Sequence, residues 1–104
     1  MSDRELLELA AKAAGIRINH WVYDDLDYSP AVLEAGGTWH PLADDGDALR
    51  LAVKLKMVVT VYGKFSAASV DGSLWQSENH YDDPFAATRR AIVRAAAEIG
   101  RAMT

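Results

Sequence analysis

The 104-residue chain contains no cysteine. That excludes a disulfide framework, a thiol nucleophile and Cys-ligated zinc, and it accords with a reducing compartment. No apolar run approaches the roughly 20 residues needed to cross a bilayer. The opening "MSDRELLELAAKAAG" has acids among its first residues and no basic stretch followed by an unbroken apolar one, so it does not read as a signal peptide. The expectation is a soluble protein of the cytoplasm, with no membrane partner. The motifs of common catalysis are missing too. There is no G-x-S-x-G, no S-x-x-K, and "EAGGT" fits neither phosphate-cradling glycine pattern. An excess of cations is also lacking: the net charge is −4, which opposes nucleic-acid binding by the surface as a whole.

What is present describes a folded chain. Half of the residues are apolar (50%) and a quarter charged (25%), the balance of a globular protein, and the length suits one domain spanning residues 1–104. Ser2 with Glu5 forms a capping box before "LLELAAKAA", and Gly15 stands where a left-handed glycine ends a helix, so a helix is expected over Asp3 to Ala14. "IRINHWVY" alternates Ile16, Ile18, His20 and Val22 against Arg17, Asn19, Trp21 and Tyr23, the pattern of a half-buried strand. "DDLDYSP" reads as a loop, and "AVLEAGGTW" as either a short strand ended by Gly36-Gly37 or a loop. Ala48, Leu51, Ala52 and Leu55 fall at helical spacing and predict a second helix over Asp45 to Lys56. "MVVTVYGKF" follows as a strand, and "FSAASV-DG-SLWQSE" as a hairpin on an Asp71-Gly72 type I′ turn. Pro84, capped by Asp82 or Asp83, opens a last helix whose inner face is expected to carry Phe85, Ile92, Ala96, Ile99 and Met103. The order α-β-(β)-α-β-β-β-α predicts an α/β fold of α+β type: a largely antiparallel sheet in one layer with helices packed on it.

The stretch "WHPLADDGD" concentrates the chemistry that could be a site. Aligning Gly46 with the glycine of an EF-hand puts Pro41, Ala43 and Ala52 where oxygen ligands must stand, so it is not one. Helix capping accounts for it better: Asp44 or Asp45 as N-cap and Asp47 in the first turn, where the helix dipole favours an acid. The pairs Asp24-Asp25, Asp44-Asp45 and Asp82-Asp83 all border expected elements, as caps and turns do. His20, His40 and His80 lie in a strand and two loops; were they to converge, they could hold a zinc ion, although no H-E-x-x-H or H-x₃₋₅-H spacing ties them together.

The charge is unevenly spread. Residues 84–104 hold Arg89, Arg90, Arg94 and Arg101 against Glu98 alone, a net +3 that leaves −7 on the remainder. Arg90, Arg94 and Arg101 share a helix face opposite Ile92, Ile99 and Met103, a candidate interaction surface for phosphates or an acidic protein. The competing account is a solvated face in which Arg94, Glu98 and Arg101 pair along the helix. The tryptophans and tyrosines of the strands fit a core face first and an interface second.

"WHPLADDGDALRLAVKL" and "DPFAATRRAIVRAAAEIGRAM" resemble the two signatures of the phage ABA sandwich domain family, small proteins of tailed bacteriophages and prophages. The matching residues are Trp39, Pro41, Asp44, Ala48 and Leu51, then Ala87, Thr88, Ala91, Ile92, Arg94 and Ala95. The resemblance implies an α/β sandwich and an origin in a phage or prophage, hence the bacterial host cytoplasm. It implies no activity, no cofactor and no catalytic residue. The function expected is that of a small accessory protein, a non-enzymatic module binding another protein or a second copy of itself. A nucleic-acid-binding module on Arg90, Arg94 and Arg101 is the first alternative, and a metal-dependent enzyme on His20, His40 and His80 the second.

Overall fold

A computed structural model describes residues 1–23, 26 and 29–103. The element order is α1 (Asp3–Ala14), β1 (Ile18–Trp21), β2 (Ala31–Leu33), β3 (Thr38–Trp39), α2 (Asp45–Lys54), β4 (Met57–Val61), β5 (Phe65–Val70), β6 (Ser73–Asn79) and α3 (Pro84–Ala102). The fold is α+β, with three helices against antiparallel sheet, as the element order implied. The strands fall into two three-stranded sheets, β1-β2-β3 and β4-β5-β6, rather than one layer. "AVLEAGGTW" supplies two of them: β2 and β3 pair across the turn that holds Gly36 and Gly37, both at positive φ. The loop expected over "DDLDYSP" falls largely outside the described residues, which omit Asp24, Asp25, Asp27 and Tyr28.

The helix ends follow local chemistry. Ser2 Oγ accepts the Glu5 N–H at 3.1 Å and Gly15 closes α1 at φ 68°. Asp44 caps α2, and Asp83 caps α3 with Pro84 behind it. Asp71 (φ 58°) and Gly72 (φ 83°) both sit in the left-handed region, the type I′ geometry that matches strand twist.

α1 and α3 form the most extensive contact in the molecule, each burying an alanine-rich face. At Gly100 the approach is so close that a Cβ would overlap the Leu9 carbonyl oxygen. α3 also lies across β5 and β6, where the run Ser66, Ala67, Ala68 and Ser69 is buried. Small residues there let a helix sit low on the sheet. Buried side chains from all three helices and both sheets form one core, including Leu7, Ala31, Trp39, Leu51, Ala68 and Val93.

Two expectations about faces are corrected. The alternation of β1 breaks at a bulge: Ile18 pairs with Leu33 and His20 with Val32, leaving Asn19 without a partner. The extra residue inverts the phase, so Ile18 and Trp21 both pack on the core while His20 is exposed. In α3, Ile92 and Ala96 are buried as expected, but Phe85 and Met103 are exposed at 66% and 56%. Phe85 continues the Ile92 face one stripe further, into a first turn that nothing covers. Met103 lies beyond the last turn of the helix.

Candidate interaction surface

The two signature segments meet. Trp39 is in the core and Pro41 is buried completely, with Leu42 packed against them at the edge. Asp44 Oδ2 accepts the Asp47 N–H at 2.8 Å, which makes it the N-cap. Asp47 reaches back to the His40 N–H at 2.9 Å and holds Arg50 at 2.7 Å. Asp45 pairs with Arg89 of α3 at 2.7 Å, and Arg89 Nε donates to the Leu42 carbonyl at 2.9 Å. All three acids of "DDGD" are thereby engaged in shaping the turn. Ala48, Ala91 and Ile92 are buried, and Thr88 donates to the Pro84 carbonyl at 2.8 Å.

Arg90, Arg94 and Arg101 line one cleft of about 380 Å³, walled also by Leu6 of α1 and Gln76 and Glu78 of β6. That face borders α1 and β6, and its arginine side chains stay 37–53% exposed. Each arginine has an acid beside it. Arg90 meets Asp3 at 3.0 Å, Arg94 meets Glu78, and Arg101 lies 3.7 Å from Glu98. Of the pairs expected along the helix, the one between Glu98 and Arg101 forms, whereas Arg94 turns to the sheet and also donates to the Ser77 carbonyl at 3.1 Å. Asp3 and Glu78 come from segments distant in sequence, so the helix alone could not reveal them.

The histidines lie in different settings. His20 is exposed on β1, His40 is half-buried before α2, and His80 is buried after β6. Among the described residues, no three His, Asp or Glu side chains come close enough together to hold a metal ion. His80 instead belongs to a chain of hydrogen bonds that starts buried and runs toward the surface: its Nε2 lies 2.8 Å from Ser66 Oγ, which lies 2.7 Å from Thr88 Oγ1. Counting protons orients the chain. Thr88 gives its only hydroxyl hydrogen to the Pro84 carbonyl, so Ser66 must donate to Thr88, and His80 Nε2–H must donate to Ser66. A serine nucleophile needs the opposite sense, the hydroxyl donating to the imidazole. The chain links β5, the β6 exit and α3.

Exposed apolar side chains surround a groove of about 550 Å³ between α2, α3 and β4. Leu49 and Ala52 form one wall, Phe85 and Ile92 another, and Val59 and Val61 the floor; the Asp45–Arg89 pair marks its polar rim. Leu49, Val61 and Phe85 are each more than 60% exposed. Such a concentration on a small domain is what partner-binding sites look like before they are filled. The groove is not legible in the sequence, because α2's outward residues Leu49 and Val53 break helical amphipathicity only mildly and the spacing of Phe85 places it on the core face.

No described helix is long and apolar enough to cross a membrane. The chain matches no model of a known protein family, no curated protein and no solved structure.

Proposed function

We propose that this protein is a small binding module that acts through contact with another protein and not through catalysis. The groove between α2, α3 and β4 carries this reading: its apolar walls are open, while the nearby ionisable groups, Asp45 and Arg89, are spent on each other. The resemblance of "WHPLADDGDALRLAVKL" and "DPFAATRRAIVRAAAEIGRAM" to the phage ABA sandwich family supports a place among phage or prophage accessory proteins, working in the bacterial host cytoplasm. The acids beside Arg90, Arg94 and Arg101 weigh against a phosphate-binding role for that face.

The test is capture of partners on tagged full-length protein from phage-infected or induced cells, with and without nuclease, read by mass spectrometry. Protein partners that survive nuclease and are lost on Leu49→Asp support the reading. Partners lost with nuclease, together with salt-sensitive binding of a labelled duplex, would replace it with the nucleic-acid module.

A further inference from the structure

The floor of the groove is an unprotected sheet edge. β4 is the outer strand of β4-β5-β6. The Tyr62 N–H donates to the Phe65 carbonyl at 2.9 Å, and on the other side of β5 the His80 N–H donates to the Lys64 carbonyl at 2.8 Å. In an antiparallel ladder the bonded pairs alternate. Carried along the register, Val58, Thr60 and Tyr62 bond to β5, and the N–H and C=O groups of Met57, Val59 and Val61 point to the open edge. The same three residues turn their side chains inward: Met57 and Val59 pack at the core margin, and Val59 and Val61 line the groove.

The two edges of this sheet are treated differently. On β6 a register shift, the left-handed Leu74 and the charged pair of Glu78 with Arg94 interrupt the edge, and Arg94 occupies the Ser77 carbonyl. These are the usual defences against strand addition. β4, "MVVTV", has no charge, proline, glycine or bulge. An added strand would pair with Met57, Val59 and Val61, and its residues opposite them would turn into the groove, toward Leu49, Ala52, Phe85 and Ile92.

Charge selects the occupant. Residues 48–70 contain Arg50, Lys54, Lys56 and Lys64 and no acid, in a chain of net charge −4. Arg50 is held by Asp47 and Asp44, whereas Lys54, Lys56 and Lys64 make no ion pair among the described residues. The acid nearest in the ladder, Asp71, accepts from Ser73 Oγ. Two lysines thus precede β4 and one follows it.

We propose that the β4 edge and its groove take an extended acidic segment of a partner protein as an added strand, with apolar residues at alternate positions. This rests on the reading of the protein as a binding module and names the chemistry of its partner.

The experiment titrates ¹⁵N-labelled full chain with a panel of seven-residue peptides that alternate Asp or Glu with Val, Ile, Leu or Phe. At least one is expected to bind with Kd of about 100 μM or tighter, shifting the amides of Met57, Val59 and Val61 and slowing their exchange with solvent. N-methylating every second peptide nitrogen should weaken binding at least ~10-fold in one phase and little in the other, because alternate residues face β4. Lys56→Glu with Lys64→Glu should weaken it similarly and leave the thermal melt unchanged, and peptides with Lys in place of the acids should not bind. The proposal is overturned by a panel silent at about 1 mM, by N-methylation without effect, or by shifts mapping elsewhere. It is also overturned by concentration-dependent protection of the β4 amides in free protein with doubled mass, which assigns the edge to a second copy. Partner capture that is unaffected by the double lysine variant removes the edge and keeps the binding module; capture of no partner removes the module itself.

Discussion

Arg89 Nε donates to the Leu42 carbonyl at 2.9 Å while its Nη1 holds Asp45 at 2.7 Å, so one side chain of α3 fastens the turn that begins α2. The arginine side chain is only 17% exposed and Asp45 is 66% exposed. The carbonyl is therefore the more consequential partner, since a half-buried acceptor left without a donor costs about 1–3 kcal/mol. Arg89→Ala is expected to lower unfolding stability by that amount in urea titrations, and Asp45→Asn by about 0.5 kcal/mol or less. Equal losses for the two would mean that the ion pair, not the carbonyl, carries the contact.

Trp39 is 5% exposed within the core. Trp39→Ala should cost about 3 kcal/mol or more, as removal of a buried indole does. A variant with unchanged stability and a lost partner would instead identify Trp39 as a binding residue.

Gly100 offers a test with a sign. At an ordinary helix position Gly→Ala gains about 0.5–1 kcal/mol. Here the new methyl group meets the Leu9 carbonyl, so α1 and α3 must move apart. Gly100→Ala is expected to lower the melting temperature, with a loss of about 1–3 kcal/mol. A raised melting temperature would show that the helices are not in this contact.

The proton count along Pro84, Thr88, Ser66 and His80 requires the Nε2–H tautomer whenever the His80 ring is neutral. Long-range ¹H–¹⁵N correlation spectra should show it directly. A proton on Nδ1 alone would reverse the sense of the Ser66 bond and reopen a nucleophile role for Ser66. Ser66→Ala should destabilise the protein by about 1–3 kcal/mol, because it leaves the buried His80 Nε2 without its partner.

Much of the fold is legible along the chain because its signals act within a few residues. Ser2 and Glu5, Asp44 and Asp47, Asp83 and Pro84, and Asp71-Gly72 each complete their geometry over one turn. The candidate site was less legible. Arg94 looks free on a helical wheel and finds Glu78 across the fold; Phe85 looks like core and becomes a groove wall because no element extends over the first turn of α3. His20 shares a face with Ile18 in an even strand and loses it to one bulged residue, Asn19.

The sequence by itself determined where the helices start and where α1 stops, which turn joins β5 to β6, and that the class is α+β, because caps, turns and periodicity are short-range chemistry. α2 ends at Lys54, two residues short of the expected Lys56, which sits in the left-handed region. Only the tertiary structure decided that the strands divide into two sheets, that Arg90 meets Asp3 and Arg94 meets Glu78, and that His80 is tied to Ser66. It alone also left β4 as an edge beside an apolar groove. Those outcomes depend on which surfaces distant segments cover when they pack, and no local pattern carries that information.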